Sequence, residues 1–209
     1  MTVSFTRCWK KLQPEWAVWL ALACLLAWLP LPARAEPPVV SIEQFRVDRA
    51  PDGVFLTGVV RFELPIAVET ALLSGAPLSF VAEVQVQRER WYWTDKAVIS
   101  AQRHFRLSYQ SITRRWRLRV SEGAIVGNNL GTSREFDSLE DALTAVQRFA
   151  RWRIGDVSEL EPDQKHRVEF KFFLDPSQLA LPFQIGVLGQ TDWNISASTT
   201  QRLLPEAGK

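Results

Sequence analysis

The feature that most constrains this chain is a two-residue alternation of apolar and polar side chains, repeated in five separate stretches. Val54, Leu56, Val60, Phe62 and Leu64 alternate with Phe55, Thr57, Val59, Arg61 and Glu63. Phe80, Ala82, Val84 and Val86 alternate with Val81, Glu83, Gln85 and Gln87. The pattern returns in Phe105, Leu107 and Tyr109 against His104, Arg106 and Ser108, and in Trp116, Leu118 and Val120 against Arg115, Arg117 and Arg119. A last stretch sets Val168, Phe170, Phe172 and Leu174 against Arg167, Glu169 and Lys171. Successive strand side chains point to opposite faces, so a period of two marks a strand with one face buried. Strands that alternate in this one-sided way belong to antiparallel sheets; parallel strands covered on both faces read as unbroken apolar runs.

Two helices are expected among the strands. One opens at Pro65, which suits a first helical position, and closes at Gly75, with Val68, Ala71 and Leu72 on its apolar side. The other is capped by Ser138, with Asp141 three residues on, and continues through Leu139, Ala142, Leu143, Val146 and Phe149. Glycines and asparagines between Gly123 and Gly131 suit a loop with positive backbone dihedrals, and Pro176 and Pro182 bracket a turn-like stretch. The fold class is therefore mainly β (α+β): an antiparallel sandwich, or one antiparallel sheet, with two helices packed on it.

The first 35 residues read differently. Arg7, Lys10 and Lys11 precede a run from Trp16 to Leu31 that carries no charge, and Ala33-Arg34-Ala35 follows Pro30 and Pro32. A basic start, a short apolar core and a small-x-small site make a secretory signal. The 16-residue run is shorter than the roughly 20 residues a spanning helix needs. Residues 1–35 are expected to be a signal peptide cleaved after Ala35, leaving 36–209 as a single strand-rich domain in the periplasm. An uncleaved inner-membrane anchor is the alternative, and only then would the protein touch membrane. A lipoprotein acylated at Cys24 is the third reading, disfavoured because Ala21 stands where such signals want Leu.

Charge and cysteine content are both altered by that segment. It holds four of the 25 Lys and Arg (Arg7, Lys10, Lys11, Arg34) and one of the 23 acids (Glu15). The remainder has 21 against 22, a net charge of −1, which gives no footprint for nucleic acid. Both cysteines, Cys8 and Cys24, also fall there, so the remainder has no disulfide or thiol chemistry.

No chemistry is signalled by local motifs. His104 and His166 stand far apart and have no ligand at metal spacing, so no metal or other cofactor is expected; both read as ordinary surface or strand-end histidines. There is no Gly-x-Ser-x-Gly elbow and no Gly-rich phosphate loop. A triad assembled from distant residues leaves no such trace.

Two constellations suit a partner surface. Trp91, Tyr92 and Trp93, followed by Asp95 and Lys96, cannot all face one side of a strand, so at least one ring points away from the core. Arg115, Arg117 and Arg119 share one strand face, with Arg114 beside them and His104 and Arg106 able to join. The bland reading of the aromatics is core packing. That of the arginines is charge pairing with Glu83, Gln85, Gln87 and Glu89 of the preceding strand.

Ordered blocks along the chain carry a family resemblance. They are Phe62-Glu63-Leu64-Pro65 into an Ala-Val-Glu helix, Gly75-x-Pro77-Leu78, Arg90-Trp91-Tyr92-Trp93, Phe105-Arg106-Leu107-Ser108-Tyr109, Asp175-x-Ser177-Gln178-Leu179-x-x-Pro182-Phe183 and Asp192-Trp193. Over residues 40–195 the chain resembles a proteobacterial family of exported proteins, the domain of unknown function numbered forty-three ninety. Members are often encoded beside a membrane sensor kinase of the nitrogen-regulation type, so the resemblance implies such a kinase as partner. The family has no assigned catalytic residues to carry over. The expectation is a non-enzymatic periplasmic binding or accessory protein for an envelope partner. A glycan or cell-wall binder using the same aromatics and an envelope hydrolase with dispersed residues are the alternatives.

Overall fold

The computed structural model describes residues 40–88, 96–123, 131–161, 164–179 and 193–203. Nine strands run through them: β1 (Ser41–Ala50), β2 (Gly53–Arg61), β3 (Leu78–Arg88), β4 (Lys96–Gln110), β5 (Arg115–Glu122), β6 (Thr132–Phe136), β7 (Arg148–Gly155), β8 (His166–Leu174) and β9 (Ser196–Leu203). Two helices, α1 (Ile66–Leu73) and α2 (Leu139–Gln147), interrupt them. All pairings are antiparallel and form two sheets, one ordered β1-β2-β7 and one ordered β6-β5-β4-β3-β8-β9. The fold is mainly β with two helices.

The alternating residues do what their period predicts. Phe80, Ala82, Val84 and Val86 on β3 have no exposed surface, and Val168, Phe170 and Phe172 on β8 are buried beside them. The inner faces of the two sheets meet through aromatic rings. Phe45 of β1 lies 5.5 Å from Phe170, and Phe149 of β7 meets Phe105 of β4 edge-on at 5.7 Å. Phe62, just after β2, sits 5.4 Å from both Phe80 and Phe172. These offset and edge-on geometries are the ones ring quadrupoles favour.

Helix α1 is bounded as its sequence suggests, one residue later at its start. Pro65 is the N-cap rather than the first helical residue, and its carbonyl accepts from Val68 N and Glu69 N. At the other end Gly75 takes φ +94, and Ala76 N and Gly75 N donate to Ala71 O and Leu72 O, both at 3.0 Å. That pair of bonds closes a Schellman motif, which needs the left-handed residue a glycine supplies cheaply. Helix α2 begins at its expected cap, where Ser138 Oγ accepts from Asp141 N at 3.1 Å. It ends earlier than its spacing predicts. Phe149 belongs to β7, where it pairs with Gly58 of β2.

The two outer strands of the small sheet both carry an extra residue. In β1 Gln44 takes φ 52, between Glu43 and Arg46; in β7 Arg151 takes φ 47, between Phe149 and Trp152. Each is a bulge in the left-handed region. The bulge in β7 turns Trp152 back to the core, where it is 2% exposed.

Candidate functional site

Among the described residues, strand β7 pairs with β2 on one side only. A groove of about 630 Å³ is lined by β7, by the first half of β4 and by the end of β5. Ala101 and Gln102 come from β4, Glu122 from the end of β5, and Trp152, Ile154 and Gly155 from β7. The volume is in the range that holds a small ligand or a few side chains of a partner.

Arg153 lines this groove directly, and Arg103 borders it through contacts with its lining residues Trp152 and Glu122. Arg103 is opposite Glu122 across β4–β5 and opposite Ala82 across β3–β4, and Ala82 has no exposed surface, so Arg103 leaves the strand on the inner face. Its guanidinium stands 4.7 Å from the centroid of the Trp152 ring, and its Nη2 is 3.5 Å from Glu122 Oε1. Burial pulls the Arg103 guanidinium below its usual range, while the Glu122 carboxylate acts to hold it up. Nε of Arg103 is buried without a hydrogen-bond partner. Gly155 closes the floor; a Cβ there would stand 2.8 Å from Ile99 Cγ2.

A second groove, about 460 Å³, lies further along β7 between β6 and α2, and is lined by Arg134, Phe136, Asp141, Thr144, Ala145, Arg148 and Ala150. The Arg134 guanidinium covers the Phe136 ring at 5.3 Å, which repeats the cation-over-ring arrangement on a smaller scale.

The residues singled out in the sequence divide into two groups. Trp91, Tyr92, Trp93 and Asp95 lie outside the described residues, in the connection between β3 and β4. Lys96 opens β4, its Cα opposite Arg88. Arg115, Arg117 and Arg119 share the outer face of β5, and His104 and Arg106 join them from β4. Arg114 sits in the turn before β5 with φ 54. Arg115 and Arg117 do pair with acids, but with different ones from those expected. Strand β4 separates β5 from β3, so the carboxylates come from the other neighbour. Arg117 Nη2 meets Glu135 Oε1 at 2.8 Å, and Arg115 Nε meets Asp137 Oδ1 at 3.3 Å. Glu83 instead accepts from Gln102 Nε2 at 3.0 Å.

The histidines are a further correction. His166 opens β8 as expected, yet it has no exposed surface. It faces inward, with Arg49 Nη2 3.4 Å from its Nδ1, and its Nε2 is buried without a partner. Burial and the Arg49 charge pull its pKa down. His104 is half-buried on the outer face, and burial lowers its pKa too, against Asp175 and Glu83, which raise it. Among the described residues no group of three or more His, Cys, Asp or Glu side chains is placed to hold a metal ion. No helix among them is long and apolar enough to cross a membrane.

The comparison with known families rests on nearly the whole of this fold. Residues 38–203 match the family described as domain of unknown function (DUF4390). The chain belongs to this family. No curated protein and no solved structure matches this DUF4390 chain.

The groove escaped the sequence reading because its parts lie on three strands. One local signal existed: Phe149, Trp152 and Ile154 are apolar among Arg148, Arg151 and Arg153, a strand pattern with one residue too many.

Proposed function

We propose that this DUF4390 protein is a non-enzymatic binding or accessory protein of the cell envelope, exported by residues 1–35, which holds a partner protein through the groove beside β7. The observation that carries the reading is Arg103, held 4.7 Å over the ring of the lining residue Trp152 and 3.5 Å from Glu122 at the edge of the groove. A guanidinium held in place by a ring has lost its rotamer freedom before a ligand arrives, so an incoming acceptor meets a prepared donor. Strand β7, which lines the groove at 152–155 and is an edge strand among the described residues, offers backbone donors and acceptors to an extended segment. The partner implied by the family resemblance is the external part of a membrane sensor kinase.

The groove favours a protein partner over a sugar. Stacking on a sugar ring needs an open aromatic face, and Trp152 is 2% exposed beneath Arg103. A serine hydrolase would need a serine hydrogen-bonded to a general base such as histidine. Ser121 stands opposite His104, but its hydroxyl donates to Gly123 O at 2.8 Å, and His104 Nε2 has no partner.

The test is crosslinking in cells that produce the protein from its full coding sequence, with a photoreactive residue at Ala101, an inner-face residue of the groove lining, and, as control, at Ser198 on β9. One envelope protein captured from Ala101, lost in Arg103→Ala and absent from the Ser198 control, is the expected result. Equal capture at both positions removes the groove from the reading. Parallel alanine variants of Trp91, Tyr92 and Trp93 show whether the aromatic segment belongs to the same surface.

A further inference from the structure

Among the described residues, two arginines that face each other on the outer face of the six-stranded sheet form no ion pair. Arg106 of β4 and Arg119 of β5 are direct partners in the antiparallel register. Side chains so placed leave the same face of the sheet with Cβ atoms about 5 Å apart, and two like charges in that position repel. The same row continues to both sides with a hydroxyl: Ser79 of β3 opposite Arg106, and Ser133 of β6 opposite Arg119. Four adjacent strands thus present Ser, Arg, Arg and Ser in line.

The neighbouring rows sharpen the contrast. On one side Arg117 and Arg115 are taken up by Glu135 and Asp137. On the other, His104 stands opposite Ser121 with its Nε2 buried and unpartnered. Neither Arg106 nor Arg119 forms an ion pair among the described residues. Both are half-buried, and long cationic side chains of that kind lay their stems along apolar surface with the charged head toward water. The acids nearest His104, Asp175 and Glu83, are engaged elsewhere: Asp175 Oδ1 accepts from Ser177 N at 3.0 Å, and Glu83 from Gln102.

We propose that the Arg106–Arg119 row is an oxyanion site, which takes a carboxylate or phosphate group between the two guanidinium forks with the Ser79 and Ser133 hydroxyls at its ends. A planar fork donates two parallel bonds to such a group, and two facing forks surround it. The anion also removes the repulsion the sheet otherwise carries. The site lies on the face of the sheet turned away from the groove beside β7, so it stands or falls separately from the function proposed above.

The experiment is a calorimetric titration of the protein, produced from its full coding sequence, with inorganic phosphate and with succinate at constant ionic strength. Saturable binding of phosphate, of succinate or of both is expected, and the pattern names the source of the anion. Arg119→Gln and Arg106→Gln should each weaken it by about tenfold or more, the loss of a charge-assisted pair of hydrogen bonds. Arg115→Gln, which removes an already paired arginine, should leave it within about twofold. Thermal melts give a reading that does not depend on affinity. Without anion, Arg119→Gln should melt at or above the wild-type temperature, because a like-charge pair is gone. Phosphate or succinate should then raise the melting temperature of the wild type and not of the variant. Failure of both anions to bind saturably, unchanged binding in Arg119→Gln, or a variant that melts below wild type without anion would each overturn the proposal.

Discussion

Arg103 on β4 and Trp152 on β7 meet across the two sheets, the guanidinium 4.7 Å from the ring centroid. Their contributions to stability should differ sharply. Trp152 is among the largest fully buried side chains, so Trp152→Ala removes a full core ring and leaves a cavity. It should cost about 3–5 kcal/mol. Arg103→Ala loses the ring contact but also the penalty of burying a cation, and should change stability by no more than about 1 kcal/mol. Urea unfolding of the two variants checks this. A loss in Arg103→Ala as large as that in Trp152→Ala would make the arginine structural and weaken its assignment to binding.

Helix α2 should depend measurably on one hydroxyl. Ser138 Oγ accepts from Asp141 N at 3.1 Å and also donates to Asp141 Oδ2 at 2.7 Å. Ser138→Ala leaves an orphan donor at the helix start and should cost about 1 kcal/mol. Ser138→Asp keeps an acceptor at the cap but places it beside the Asp141 carboxylate, so it should recover only part of the loss. Equilibrium unfolding of the two variants orders them.

How much of this was legible in the sequence depended on whether a strand kept its phase. Strand β3 runs without interruption through its buried face, and Phe80, Ala82, Val84 and Val86 announce it. Strand β1 does not. Ile42, Phe45 and Val47 face the core only because Gln44 is the additional residue of a bulge, and a period-two reading loses the phase there. The same device misled the reading of Phe149. It lies three residues from Val146, a helical interval, and three from Trp152 through the Arg151 bulge, so it seemed to continue α2. Strands β6 and β9 are polar along most of their length and gave no periodic signal. The arginine face of β5 was readable because alternate residues share a face on any strand. Its acidic partners were not, since they depend on strand order, and Glu135 and Asp137 arrive from a neighbour that only the folded register supplies. Arg103, Glu122 and Trp152 meet for the same non-local reason.

Gly155 should tolerate no side chain while Ile99 is present. A Cβ built on it falls 2.8 Å from Ile99 Cγ2 and 2.9 Å from its Cδ1. Ile99 is itself 3% exposed and has little room to move. Gly155→Ala should therefore cost about 1–3 kcal/mol through overpacking at the groove floor. In an Ile99→Ala background the same change should cost much less, and the double-mutant cycle gives the coupling directly. Additive losses would mean that the strain at Gly155 comes from its backbone and not from Ile99.

His166 should make the fold sensitive to mild acid. It is enclosed by Arg49 from β1, Arg88 from β3 and the Glu161 carboxylate that pairs with Arg88. Burial first, and the Arg49 charge second, hold its folded pKa below its ordinary value. The unfolded chain keeps the ordinary value near 6.5 and so binds a proton more readily. Where the unfolded state binds more protons, stability falls as pH falls. The stability that neutral His166 contributes is therefore complete above about pH 7 and is lost as pH drops through and below 6.5. His104, also lowered by burial, acts in the same direction. Urea midpoints measured from pH 7.5 to 5 should decline in the wild type and decline less steeply in His166→Leu, with a further flattening when His104→Leu is added. A His166→Leu profile parallel to the wild type would show that the imidazole takes up its proton in the fold as easily as in the open chain, against the enclosure by Arg49 and Arg88.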